Sequence, residues 1–233
     1  MTGASFDLES EVQDFANQVL TRVLMCLVGE PREDTLRIVS SDDRYAFSYQ
    51  QTLHAHSAGE AIGVLQLDYA LCADRSGRHL AVQNSAFQLK ERRGKKPIVR
   101  IEYLRDARSV PCSHVHVHAE SGLFTELLAA TGHQSAAAIA SIHVPTGGDR
   151  FRPCVEDFVQ FLIEECNIAA REGWREEVLE GREQYRAIQT AAAVRDRPEI
   201  AIAELERLGL TVAGELPSVA TFARTAPGLM QHC

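Results

Sequence analysis

Apolar residues first recur at helical spacing: Phe6, Val12, Phe15, Val19, Val23, Leu24 and Leu27 line one side of a turn-by-turn repeat. Gly29 and Pro31 then end it, so the pattern predicts a helix over about 8–28 with one face on a core. From Thr35 to Val144 the period changes to two. LRIVS, YAFSYQQTLHAH and GVLQLDYALCA read as strands, the last placing Leu65, Leu67, Tyr69 and Leu71 on one face. ADRSGRH turns the chain into HLAVQNSAFQLKE, and ERRGKKP turns it again into IVRIEYL, where Val99, Ile101 and Tyr103 form the apolar side. The next strand contains SHVHVH. Alternation puts Val115 and Val117 toward the core and the three histidines on the opposite, polar face.

SGLFTELLAATGHQSAAAIA predicts a helix, followed by a short strand with Ile142 and Val144 inward and His143 outward. Asp149 and Pro153 signal the start of another helix, with Val155, Phe158, Val159 and Leu162 as its apolar stripe and Phe161 beside it. Two charged helical stretches follow, over about 171–194 and 197–210, with Trp174 read as core. The expected fold is α+β: a mostly antiparallel sheet of about six or seven strands, an N-terminal helix and a helical C-terminal third. The expected organisation is a sheet domain over 1–152, a helical segment over 153–213 packed on it, and a loosely ordered tail over 214–233. No internal repeat is present.

Composition narrows the function classes. The chain has 233 residues, 45% of them hydrophobic, which is enough for a sizeable core. Its formal net charge of −8 argues against nucleic-acid binding through a globally basic surface. The local charge run ERRGKK reads as a solvated turn. Six scattered cysteines without a Cys-x-x-Cys pair suit a reducing compartment, and the polar N-terminus has no targeting pattern. No apolar run is long enough to span a bilayer. The expectation is a cytoplasmic protein without membrane contact, its Cys112 and Cys154 buried rather than nucleophilic.

The candidate chemistry lies on the polar face of the histidine strand. Pairing 98–103 with 113–118 would set Arg100 and Glu102 beside His114, His116 and His118, and a strand on the other side would bring His143. The loop that follows carries Gly147, Gly148, Arg150 and Arg152 just before a helix start, where an anion is favoured. Imidazoles with arginine forks suit a nucleotide or another phosphate-bearing substrate, RNA included. An RNA-cleaving version would fit the toxin of a toxin–antitoxin pair, an analogy of composition only.

His114-Val115-His116-Val117-His118-Ala119 resembles the His-φ-His-φ-His-φ signature of the histidine-triad nucleotide hydrolases and transferases, and RSVPCSHVHVH resembles the approach to it. The resemblance implies that His116 attacks the phosphate and forms a covalent intermediate, with His114 and His118 orienting it. That reading needs no cofactor. A second reading is a divalent metal held by His114, His116 and His118, with Glu120 or His143 added. His114, His116 and Glu120 have the His-x-His-x3-Glu spacing of cupin barrels, without the glycine expected six residues later. His54 and His56 form another same-face pair. A bland reading is also open, in which histidines only provide the polar side of a strand, and it is preferred for His79, His133 and His232. A non-enzymatic alternative makes the helices of 153–210 a surface for a protein partner.

Overall fold

The computed structural model describes residues 6–32, 37–41, 44–56, 60–74, 76–93, 95–118, 122–130, 143–146 and 152–214. Helix α1 (Leu8–Cys26) starts where the Asp7 carboxylate accepts from the amides of Glu9 and Ser10 at 3.1 and 3.5 Å. Its buried stripe is Val12, Ala16, Val19, Val23 and Cys26, the helical spacing read from the sequence. The chain then crosses to the sheet. Gly29 sits at φ +152°, and a Cβ there would meet the Thr52 carbonyl oxygen, so the close approach requires glycine.

Among the described residues seven strands follow as an antiparallel meander in sequence order: β1 (Arg37–Ser41), β2 (Arg44–His54), β3 (Ala61–Ala73), β4 (Leu80–Glu91), β5 (Pro97–Leu104), β6 (Ser113–Val117) and β7 (Val144–Pro145). Helix α2 (Gly122–Ala130) lies between β6 and β7 in the chain, and α3 (Val155–Glu164), α4 (Trp174–Asp196) and α5 (Pro198–Arg207) form the C-terminal part. The fold is α+β, as the periodicity requires. The helix expected over 121–140 is described only as α2, and its remaining residues lie outside the described ones, as do those of the tail beyond Gly214.

One face of the sheet is apolar. Phe47, Leu67, Tyr69 and Phe87 bury against α1 and α3, whose Phe158 and Leu162 are fully covered, and Trp174 and Val178 of α4 close the layer. Truncating Phe158 to Ala would cost about 3–5 kcal/mol by loss of transfer energy and an unfilled cavity. The other face is a polar ladder. Asp68 accepts from Ser48, Gln66 and Gln88 at 2.7, 2.6 and 3.2 Å. Register carries this face to the sheet's far edge: Gln66 opposes Gln88, Gln88 opposes Arg100, and Arg100 opposes His116.

Two inward placements need correction. Val117 is 43% and Val144 53% exposed, and Val115 is only half-buried. The face assignment is right, since Val115 opposes Ile101 and His116 opposes Arg100. However, α1 and α3 pack chiefly on β3 and β4, so the apolar layer ends before the β6–β7 edge. Burial is inverted at this edge: the histidines are the covered side chains, His114 at 1% and His116 at 4% exposure.

Candidate functional site

β5 and β6 pair with Glu102 opposite His114 and Arg100 opposite His116, so both histidine rings share a face with a carboxylate and a guanidinium. β7 pairs with the free side of β6, His114 opposite Pro145, which delivers His143 from the adjacent position. Thr146 secures this short strand: its amide donates to the Ser113 carbonyl at 3.0 Å, and the two hydroxyls lie 2.5 Å apart. His143 then stands edge-on to both partners, with ring centroids 4.8 Å from His114 and 4.6 Å from His116. His118 is farther out, 6.2 Å from His116. His143 thus lies on the polar face with the other rings, as expected of a strand on the other side of β6, and is half-buried against them.

The ring of His114 is oriented by its backbone. Its Nδ1 lies 2.6 Å from the Pro111 carbonyl oxygen, which can only accept, so Nδ1 carries the proton and Nε2 faces the cluster. There Glu102 Oε2 receives three neighbours: Arg100 at 3.0 Å, His116 Nε2 at 3.2 Å and His114 Nε2 at 3.4 Å. Burial works to raise the Glu102 carboxyl. The His114 hydrogen bond and the charges of Arg100, His114 and His116 outweigh it and hold the group below the usual carboxylate range. Burial pushes His143 and His118 down, each helped by Arg100 and opposed by Glu102, and His143 is also lowered by the charge of His114.

His114, His116 and His143 each offer a ligand atom, all within 4.8 Å of one another, and can hold a metal ion. A zinc–nitrogen bond of about 2.0–2.1 Å in tetrahedral geometry sets ligand nitrogens about 3.3 Å apart, so small ring rotations would close the set. Two polar atoms beside the cluster are buried without a hydrogen-bond partner, Arg100 Nε and His118 Nε2. Such orphans call for an explanation, and a polar ligand in the cluster supplies one.

The structure thus brings together His114, His116, His143, Arg100 and, at the margin, His118. It takes Arg152 elsewhere, to the helix side of the sheet, where its guanidinium lies 4.4 Å over the Tyr103 ring and its Nε donates to Tyr185 at 3.0 Å. Glu120, Gly147, Gly148 and Arg150 lie outside the described residues. His54 pairs instead with Glu30 at 3.2 Å. Cys154 is buried and its thiol is pushed up by that burial, so it is no nucleophile at neutral pH; Cys112 is also buried. The residues to which sequence reasoning gave no role are Glu102, Pro111 and Thr146. Strand pairing had already placed Glu102 beside the histidines, but a backbone carbonyl and a strand anchor leave no motif.

Fold and site define a class: an α+β protein whose antiparallel meander carries, at one edge, a three-histidine group able to hold a metal ion. The chain matches no protein-family model, no curated protein and no solved structure. No helix among the described residues is long and apolar enough to cross a membrane.

Proposed function

We propose that this protein is a metal-dependent hydrolase of phosphate esters, with His114, His116 and His143 as ligands of a divalent ion, zinc being the best chemical match. The observation that supports it is the tethered His114 ring. Its Nδ1 is spent on Pro111, and its Nε2 converges with two further imidazoles on a site beside a carboxylate. Ligating histidines commonly donate their second nitrogen in this way, which fixes tautomer and ring angle. Three imidazole ligands would leave a position for water, and a bound ion would lower that water's pKa toward neutrality. Glu102 would orient that water or one ligand ring, and Arg100 and His118 would meet the anionic substrate.

Chelator-stripped protein should take up one equivalent of zinc by mass spectrometry, and His114→Ala or His143→Ala should weaken uptake at least about tenfold. An aryl phosphodiester should be cleaved only by the loaded protein. Cleavage by metal-free protein with a phosphoryl or nucleotidyl adduct on His116 would instead support the covalent histidine-triad reading. The 3.2 Å contact between His116 Nε2 and Glu102 bears on that alternative, because a carboxylate can orient a reacting histidine ring. A protein-partner reading draws on different residues, the exposed Ile200, Leu205 and Leu208 on and after α5. A sedimentation coefficient that stays monomeric across a concentration series would remove self-assembly from it.

A further inference from the structure

On the opposite side of the sheet, α1, α4, β3, β4 and the start of α3 enclose a solvent-open cleft with roughly 660 Å³ of space between them. Its walls are apolar and aromatic. Phe15 meets Tyr69 edge-on at 5.0 Å, and Phe87 lies 5.5 Å from the same ring. Three charged side chains line it, Arg152, Glu156 and Arg22. Arg152 is held rigidly, stacked on Tyr103, with Tyr185 Oη accepting from its Nε and donating to its carbonyl oxygen. No carboxylate pairs with it among the described residues. Glu156 is 8% exposed; among the described residues its cationic neighbour is Arg22 Nε at 3.8 Å, and the Cys154 thiol is hydrogen-bonded with it. That arginine is already committed to Glu177, at 2.7 Å to the carboxylate and 2.8 Å to the carbonyl.

Glu156 shares the one Arg22 guanidinium with Glu177, and Arg152 meets no carboxylate among the described residues, so each keeps charge that a ligand group of opposite sign would balance. We infer that the cleft binds a free α-amino acid with an apolar side chain: its carboxylate on Arg152, its ammonium on Glu156 and its side chain among the aromatic walls. Apolar walls with a few placed polar groups are the pattern of a site for a compact organic ligand. A simple organic anion would leave Glu156 unmatched, and an amine would leave Arg152 unmatched. Both charges lie on the helix side of the sheet, so this site is separate from the histidine cluster.

The test is calorimetric titration of the full-length protein with L-leucine, L-methionine and L-phenylalanine, each compared with its deaminated acid and its decarboxylated amine. At least one amino acid should bind saturably and at least ten times more tightly than both of its single-charge counterparts. Because Arg152 is packed between two tyrosines, the control variant is Gln18→Trp, at an exposed position on the cleft's rim. It should abolish binding while leaving the circular dichroism spectrum unchanged, and His116→Ala should bind as the wild type does. Absence of saturable binding by all three amino acids would overturn the inference. So would equal binding of the acid or amine, unaffected binding in a correctly folded Gln18→Trp, or loss of binding in a folded His116→Ala.

Discussion

At the scale of single residues, the structure repeatedly uses one carboxylate to organise a short stretch of chain. Glu102 does so in the histidine cluster, and Asp74 does so in the β3–β4 turn. Asp74 Oδ1 accepts from the Ser76 amide and hydroxyl at 3.1 and 2.7 Å and from the Arg78 and His79 amides at 3.1 and 3.3 Å. Burial works to raise this carboxyl, but those bonds and the charge of His79 together hold it below its usual value. A depressed carboxylate contributes stability above its unfolded pKa and loses it as pH falls through the folded value. Asp74→Ala should therefore cost about 1 kcal/mol near neutrality, on the scale of a lost cap. The difference from wild type should shrink as urea melts are repeated from pH 5 down to about pH 2. A gap independent of pH would mean the carboxylate's charge is irrelevant to the turn. The turn itself was legible from DRSG, because Asp and Gly in such a run have few other uses.

At the scale of elements, the edge formed by β6 and β7 decides the site. The histidine periodicity was plain in the sequence, and so was the pairing with IVRIEYL that sets Arg100 and Glu102 alongside. The third member, His143, was legible only on the condition that its short strand pairs on the other side. A strand of two residues has almost no periodicity to read, and His143 enters the cluster because Thr146 and Ser113 hold β7 in register. Thr146→Val keeps the shape and removes the hydroxyl contact. It should lower zinc affinity about tenfold, as loss of a supporting group does, with a change in folding stability under about 1.5 kcal/mol. Competition titration against a chromophoric chelator would measure this. An unchanged affinity would mean that β7 does not set the position of His143.

At the scale of the whole molecule, the sheet separates two chemistries, a histidine cluster on its polar face and an aromatic cleft under the helices. A ligand that binds the folded state adds stability by mass action, about 2.7 kcal/mol at a hundred times its dissociation constant. Zinc should thus raise the melting temperature of the wild type and leave that of His116→Ala unchanged; equal shifts would place the ion elsewhere. Helix α5 buries no residue, so Ile200→Ser and Leu205→Ser should each alter stability by less than about 0.5 kcal/mol. A loss above about 2 kcal/mol would show these side chains to be covered in solution. The sequence by itself determined the α1 stripe, the antiparallel strands with their hairpin turns, and the shared face of Arg100, Glu102 and the histidines, because each follows from a period of 3.6 or 2. Only the tertiary structure decided which side of the β6 edge is covered, that His143 rather than His118 completes the group, and that Arg152 stacks on Tyr103 across the sheet. Those outcomes depend on where the helix layer ends and on contacts between residues far apart in the chain, neither of which leaves a local pattern.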